Sequence, residues 1–323
     1  MFRRLKLRKT GLCGWGYRIL LVAMILAAAG SACIPWRRQA SPYRRTTTEP
    51  EVTVYMHETK ETERMKLEQY LEGVVAGEMD PNWPLEALKA QAILARTFTM
   101  EALQRKGGTK DLTGTDVSTD ETQFQAYNAA EINDNVRRAI AETRGQLMLT
   151  GRDDPIRAWY HADAGGKTAT ALEGLGFDDA PTPYLKVVEA PSANPEADWQ
   201  TSFSTDEFLA AVKEAQPGSR ISSVSSVEIA ERGPSGRATE LSVGEERVNA
   251  VALRVALDPR RMRSTMLTEV RVEGGSVVMS GRGFGHGVGL PQWSARYLAD
   301  QGEAAEAILK QFFQGIRVEQ WWQ

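Results

Sequence analysis

From Gly281 to Gly289 every second residue is glycine, and this pattern constrains the chain more than any other. Side chains alternate across an extended strand, so the glycines would leave one face of that strand bare. The opposite face would carry the remaining side chains, which are Arg282, Phe284, His286 and Val288. The spacing is not G-x-G-x-x-G and no lysine follows, which disfavours a nucleotide-phosphate loop. The pattern therefore predicts the wall of a cleft where a ligand approaches the backbone closely.

The first 50 residues differ from the rest in charge and hydropathy. Several basic residues, the last of them Arg18, precede an apolar run over residues 19–34. This order is typical of an export signal or an N-terminal membrane anchor helix, and a spanning helix needs ~17–25 apolar residues. Whether the segment is cleaved, lipidated at Cys33 or retained stays open, but each outcome places the rest outside the cytoplasm. We expect a cytoplasmic start, a signal or anchor and a tether in residues 1–50, and one folded domain over residues 51–323.

The charge of that domain limits its partners. Ten of the 39 Lys and Arg residues, but only one of the 42 acidic residues, lie before residue 51, so residues 51–323 carry a formal charge of −12. This charge disfavours nucleic acid as a partner and capture by an anionic surface. Both cysteines lie before residue 51, so we expect neither a disulfide nor a thiolate metal site in the domain.

Hydrophobic periodicity predicts an α+β fold with a mixed, largely antiparallel sheet, helices packed beside it and a substrate cleft. Pro84 suits the first turn of a helix, Gly107 and Gly108 suit its end, and Ser204 is a typical N-cap. Helices are predicted at residues 67–79, 84–107, 136–142, 204–215, 294–300 and 303–313. Strands are predicted at residues 51–55, 146–149 and 156–161 and as short runs over 223–279, with a turn at 164–167.

Three sequence blocks together carry a resemblance. The first contains YLEGVVAGEM at residues 70–79 and PLEALKAQA at 84–92, and the second is YHADAGGKT at 160–168. The third combines RST at 263–265, the glycine pattern at 281–289 and QWSA at 292–295. In this order and spacing, over about residues 50–318, they resemble the stage II sporulation protein D family, which includes the amidase-enhancer proteins.

The resemblance implies an extracytoplasmic lytic transglycosylase that cleaves the MurNAc-GlcNAc bond of peptidoglycan, preferentially after an amidase has removed the stem peptides. It implies partners as well, namely a cell-wall amidase and a membrane scaffold during sporulation engulfment. The family's catalytic acid falls on Glu78, and no cofactor is implied. Some relatives carry a His/Cys cluster suited to zinc, but residues 111–127 contain neither type, so we predict no metal. Positions in the second and third blocks imply substrate contacts from His161, Gly165, Gly166, Lys167, His286 and Gln292.

A single carboxylic acid suffices for such a reaction, because it protonates the bridging oxygen and then accepts a proton from the muramic C6 hydroxyl. The acid must be protonated near neutral pH, which requires desolvation. Apolar neighbours of Glu78 in sequence, Val74, Val75, Met79 and Trp83, are expected to provide it. Taken alone, Glu78 is more typical of a capping residue at a helix end, and a lone histidine is more often structural than catalytic.

Two other functions compete with this enzyme. A non-catalytic glycan-binding or amidase-enhancing protein on the same scaffold stays open, since binding and cleavage use the same cleft. A metallohydrolase is disfavoured, because the three histidines, His57, His161 and His286, show no H-E-x-x-H spacing.

Overall fold

The computed structural model of the protein describes residues 45–151 and 153–323, which form an α+β fold. The predicted anchor at residues 19–34 lies outside the described residues. Within them, no helix is long and apolar enough to cross a membrane. The helices are α1 (Leu67–Glu78), α2 (Leu85–Lys106), α3 (Lys110–Thr113), α4 (Asp134–Glu142), α5 (Ala171–Leu175), α6 (Thr205–Ala215), α7 (Ala250–Ala256), α8 (Gln292–Asp300) and α9 (Ala305–Phe312), with a 3-10 turn at Ala129–Glu131.

The strands are short, and several contain only two residues. They are β1 (Glu51–Tyr55), β2 (Thr62–Lys66), β3 (Val117–Ser118), β4 (Gln146–Leu149), β5 (Tyr160–His161), β6 (Gly166–Lys167), β7 (Glu189–Ala190), β8 (Asp198–Ser204), β9 (Val227–Arg232), β10 (Ala238–Val243), β11 (Glu246–Asn249), β12 (Leu267–Glu273), β13 (Ser276–Arg282), β14 (Leu290–Pro291) and β15 (Arg317–Gln320).

The α+β prediction is confirmed, but the single sheet that we expected is wrong. In the described part of the chain the strands form six small sheets, ordered β2-β1-β3, β11-β10-β9, β12-β13-β8, β14-β5, β15-β4 and β6-β7. All pairs are antiparallel except β1 with β3 and β5 with β14. Short strands separated by helices and glycine turns present too few neighbouring residues to join into one sheet.

The first hydrophobic core surrounds α2. Its Ala and Leu residues are buried on most sides, and α1, α4, α8 and α9 pack around it. The predicted end of α2 is confirmed, because Gly107 adopts φ +72° and donates its N–H to the carbonyl of Leu103, while Gly108 donates to the carbonyl of Ala102. Such a left-handed residue closes the last turn of a helix and suits glycine.

The first core also contains a buried ion pair. Arg96, which is fully buried, donates to both carboxylate oxygens of Glu68, and the Nη2–Oε2 distance is 2.6 Å. The backbone N–H of Gly145 and the indole N–H of Trp322 donate to Oε1 of the same carboxylate, at 3.0 and 2.9 Å. Glu68 thereby ties α1 to α2, to the start of β4 and to the end of the chain.

A second hydrophobic core is built by β8 to β13 with α6 and α7, between β7 and the glycine pattern. Phe203, Phe208, Leu241 and Val277 are among its fully buried residues. Ser204 caps α6 as predicted, since its hydroxyl accepts the N–H of Glu207 at 3.1 Å. The sequence reading missed α7, because only seven residues separate a strand from a turn there and the periodicity is too short to detect.

Candidate functional site

Glu78 is the last residue of α1 and is partly exposed, and its carboxyl group lies among neutral hydrogen-bond donors. The backbone N–H of Ala126 and the hydroxyl of Tyr160 donate to Oε1 at 2.8 and 2.7 Å. The side-chain amide of Gln292 donates to Oε2 at a longer 3.4 Å. Three separate segments of the chain therefore converge on one carboxyl group.

Burial raises the pKa of the Glu78 carboxyl above its usual value, and the nearby charge of Glu121 raises it further. The hydrogen bonds from Tyr160, Ala126 and Gln292 lower the pKa, but less than burial raises it. A carboxyl group at the C-terminal end of a helix also lies at the negative end of the helix dipole, which disfavours the ionised form. The environment thus favours a protonated acid.

Glycines inside α1 allow the loop around Ala126 to reach Glu78. A Cβ on Gly73 would lie 2.1 Å from the ring of Tyr127, and a Cβ on Gly77 would lie 2.7 Å from the backbone nitrogen of Tyr127. Glycine in a helix interior costs roughly 0.5–1 kcal/mol relative to alanine. In α1 this cost in helix stability is accompanied by close packing of the loop around Ala126 against the helix. That packing brings the Ala126 N–H within hydrogen-bond distance of the Glu78 carboxyl group.

The glycine pattern does not form the extended strand that we predicted. Strand β13 ends at Arg282, and Gly283, Gly285, Gly287 and Gly289 have φ between +76° and +118°. Glycine adopts positive φ as readily as negative φ, so the alternation in the sequence fits a winding loop equally well. A Cβ on Gly285 would lie 2.5 Å from the Cβ of His161, and one on Gly289 would lie 1.9 Å from the carbonyl oxygen of Trp159. The glycines therefore permit close packing against the chain around β5.

The two histidines at this loop form hydrogen bonds with backbone atoms. His286 Nδ1 accepts the N–H of Val288 at 3.0 Å, and its ring also hydrogen-bonds the backbone of Tyr160. His161 Nδ1 lies 3.2 Å from the carbonyl of Val288, and the two imidazole rings are 5.3 Å apart. Burial, with the charges of Arg254 and Arg237, lowers the pKa of His286 to about 3. Burial, His286 and Arg237 lower that of His161 well below its usual value.

Tyr160 and His161 are consecutive in β5, so their side chains point to opposite faces. The Tyr160 hydroxyl reaches Glu78, whereas His161 contacts Val288 in the glycine loop. Of the predicted site residues, Gln292 is brought into contact with Glu78, and His161 and His286 support the strand that carries Tyr160. Sequence reasoning missed Tyr160 as a partner of Glu78, although it lies in the second resemblance block.

The turn at Gly165, Gly166 and Lys167 is fixed by an arginine from the second core. Arg237 is fully buried and donates to the carbonyls of Ala164 and Lys167 at 2.6 and 2.7 Å. Lys167 itself is half-exposed and lies 3.1 Å from Glu189. Gly165 and Gly166 line a cavity of about 630 Å³ with residues that do not contact Glu78, among them Asp163, Ser192 and Arg282. The structure therefore places this turn at a cavity of its own.

An aromatic cluster lies on the Glu78 side of α8. The rings of Trp83 and Trp293 are partly exposed and 4.9 Å apart, and the Arg296 guanidinium lies 5.2 and 4.9 Å from their centres. Of the neighbours that we expected to desolvate Glu78, Val74, Val75 and Met79 are buried in the first core, whereas Trp83 faces this cluster. Within residues 45–151 and 153–323, no group of three His, Cys, Asp or Glu side chains is placed to hold a metal ion.

Comparison with known proteins agrees with the resemblance. The family model described as Stage II sporulation protein matches residues 55–149, and a domain of unknown function matches residues 179–289. Stage II sporulation protein D of Bacillus amyloliquefaciens is 30% identical over 287 residues, which cover 83% of this chain and 78% of that protein. The Bacillus subtilis (strain 168) protein of the same name is 30% identical over 285 residues, with the same coverage.

The chain therefore belongs to the stage II sporulation protein D family, as the three sequence blocks predicted. A Bacillus subtilis (strain 168) protein named amidase enhancer is also similar, at 27% identity over 295 residues. Those residues cover 76% of this chain but only 39% of the amidase enhancer.

Proposed function

We propose that the protein is a peptidoglycan lytic transglycosylase, which cleaves the MurNAc-GlcNAc bond of peptide-stripped glycan strands and leaves a 1,6-anhydro end. The observation that carries the proposal is the environment of Glu78: the residue is partly exposed, its carboxyl oxygens accept hydrogen bonds only from neutral donors, and burial raises the pKa of the carboxyl group. A protonated carboxyl group at the surface of a site is what glycosidic bond cleavage requires of its general acid.

The contacts of Glu78 assign different roles to its two oxygens. Oε1 accepts hydrogen bonds from the Ala126 N–H and the Tyr160 hydroxyl, so both of its lone-pair directions are used. The acidic proton then resides on Oε2, which has only the long contact with the Gln292 amide. In the proposed reaction this proton moves to the bridging oxygen as the C1–O bond breaks.

The same oxygen completes the reaction. Oε2, now a carboxylate oxygen, takes the proton of the muramic C6 hydroxyl as that hydroxyl forms the bond to C1, so no water is consumed. The Tyr160 and Ala126 donors stabilise the transient carboxylate through Oε1. One glutamate therefore serves as acid and then as base, whereas a hydrolase needs a second carboxylate.

The relatives' names suggest the setting. We propose that the protein acts in sporulation, in the remodelling of the cell wall during engulfment, together with a cell-wall amidase and a membrane scaffold. We place it outside the cytoplasm, held to the membrane by residues 19–34 or released from it by cleavage. The formal charge of −12 over residues 51–323 argues against a nucleic-acid partner.

A second candidate function is favoured by the similarity to the amidase enhancer. In that case the protein binds glycan strands and increases amidase activity without cleaving them. Both candidates use the same scaffold, and the products of an incubation with glycan distinguish them.

To test this, the purified full chain is incubated with peptide-free glycan strands, and the products are identified by mass spectrometry. We expect anhydro-ended fragments from the wild type and from Glu121→Gln, which removes the charge that acts on Glu78 but not the acid itself. Products with reducing ends that disappear in Glu121→Gln would indicate a two-carboxylate hydrolase instead. Binding without any cleavage, together with stimulation of an added amidase, would establish the second candidate.

A further inference from the structure

The Trp83–Trp293–Arg296 cluster combines an apolar surface with a positive charge. The two indole rings are tilted by 59° at a centre-to-centre distance of 4.9 Å, and all three side chains are partly exposed. The Arg296 guanidinium lies about 5 Å from the centre of each ring, within the range of a cation–π contact. Stacking holds a guanidinium in a defined position while its N–H groups stay available to a ligand.

The cluster lies beside the proposed acid. Gln292, the first residue of α8, contacts Glu78, and Arg296 follows four residues later on the same helix face, about 6 Å further along the helix axis. Trp83 follows Glu78 by five residues, after a turn closed by its own N–H on the Asp80 carbonyl. The cluster therefore lies within reach of a glycan strand whose scissile bond is bound at Glu78.

The charge of Arg296 is only weakly neutralised within the protein. Its Nε lies 3.8 Å from Asp300 Oδ2, and 36% of the Arg296 side chain and 48% of the Asp300 side chain are exposed. An exposed pair at this distance contributes little. The proposed substrate is itself a polyanion, because an amidase that removes a stem peptide leaves a lactyl carboxylate on each muramyl residue. A domain of charge −12 repels such a strand overall, so a cation beside the acid would offset part of that repulsion.

We propose that Trp83, Trp293 and Arg296 form a subsite for a muramyl residue with a free lactyl carboxylate. The indoles contact the sugar ring, and the guanidinium binds the carboxylate. A stem peptide joined through an amide presents no charge at that position and leaves the guanidinium without its partner. Arg296 is thereby a specificity-determining residue that selects peptide-stripped strands, an inference that rests on the proposed function.

The test compares two matched substrates on the full chain. One is peptide-free glycan with free lactyl carboxylates, and the other is the same glycan with those carboxylates converted to methylamides. We expect the wild type to show a KM about 3–10-fold lower for the free carboxylate, as expected for a partly exposed charged hydrogen bond. Arg296→Gln should raise that KM to the value for the methylamide, with little change in kcat, and Arg296→Lys should restore part of the difference.

Two controls separate charge recognition from general damage. Arg271→Gln removes an exposed arginine of β12 that pairs with Glu269 and Glu273, and it should leave the preference unchanged. Trp83→Ala, unlike Arg296→Gln, should also raise KM for the methylamide, because contact with a sugar ring does not depend on the lactyl charge. The proposal is overturned if the wild type does not discriminate, if Arg296→Gln still does, or if Arg271→Gln abolishes the preference equally.

The same pair of glycans separates this proposal from the proposed function. Binding is measured with Glu78→Gln, in which turnover does not interfere, and with the double variant Glu78→Gln/Arg296→Gln. If the wild type cleaves neither glycan but the first variant binds the free carboxylate more tightly and the double variant does not, the subsite stands and the enzymatic proposal fails. If cleavage occurs and neither assay shows a preference for the free carboxylate, the enzymatic proposal stands and the subsite proposal fails.

Discussion

Two glutamates on the same helix, Glu68 and Glu78, have opposite environments. Glu68 lies in the first turn of α1, is 4% exposed, and its carboxylate accepts from Arg96, Gly145 and Trp322. Glu78 ends the helix, is partly exposed and has only neutral donors. The helix dipole stabilises an ionised carboxyl group near the N-terminus and disfavours one at the C-terminus.

The two residues differ mainly in the charge of the groups that contact the carboxyl oxygens, and less in their degree of burial. This charge distinguishes a structural carboxylate from a candidate catalytic carboxyl group. Glu68 faces a buried cation, so its charge is compensated by an ion pair. Glu78 faces donors that bear no charge, and burial raises its pKa. The first residue holds the core together, whereas the second is available for proton transfer.

The largest expected effect is on activity. Glu78→Gln keeps the shape of the side chain but removes the proton that we propose it donates, so glycan cleavage should fall about 10²–10⁴-fold, the usual contribution of a general acid. The free energy of unfolding should stay the same or rise, because the substitution removes a carboxyl group that burial disfavours. Both are measured on the purified variant, by fragment release and by urea denaturation.

The reciprocal substitution tests the structural carboxylate. Glu68→Gln leaves the buried guanidinium of Arg96 without its counter-charge, and the free energy of unfolding should fall by about 3–5 kcal/mol. Urea denaturation followed by circular dichroism measures it, with Glu72→Gln on the same helix as the matched control. A loss below 1 kcal/mol would show that the pair is not structural.

A smaller effect concerns the histidine that supports β5. Because the pKa of His286 is depressed to about 3, the unfolded chain binds more protons below about pH 6.5. Stability contributed by this residue is therefore present above pH 6.5 and is lost as pH falls, at up to about 1.4 kcal/mol per pH unit. The slope of unfolding free energy against pH should be shallower in His286→Asn than in the wild type.

The smallest expected effect is a shift of a pH profile. Tyr160→Phe removes a hydrogen bond that lowers the pKa of Glu78, so this pKa should rise further. Cleavage requires the protonated form, and the alkaline limb of the pH–rate profile should move to higher pH. Tyr184→Phe, whose hydroxyl contacts the backbone of Arg157 instead, serves as the control and should leave the limb in place.

Local signals in the sequence were sufficient to locate helix boundaries in both cores. The end of α2 at Gly107 and the Ser204 cap of α6 follow from residues within one helical turn of each boundary. The prediction of Glu78 as the catalytic acid rests on a family motif, because the residues next to a single glutamate do not reveal its environment in the folded protein. Gln292 was expected to contact substrate, and its contact with Glu78 spans 214 positions in the chain.

Other features depended on long-range contacts that periodicity does not encode. The hydrogen bond between Tyr160 and Glu78 joins residues 82 positions apart. Strand prediction over residues 156–161 was too long, since only Tyr160 and His161 pair with a neighbouring strand. The alternating glycines matched a strand pattern because glycine is compatible with both signs of φ, and only the packing against β5 decides between them.

The most direct test of the central claim is a pH titration of the Glu78 carboxyl group itself. The chain is labelled with ¹³C at the glutamate carboxyl carbons, and the Glu78 resonance is identified by its disappearance in Glu78→Gln. Our account predicts that this resonance titrates above the ordinary value of 4.5, and at a still higher pH in Tyr160→Phe. A midpoint at or below 4.5 in the wild type would contradict it, because the carboxyl group would then be ionised at neutral pH with no proton to donate.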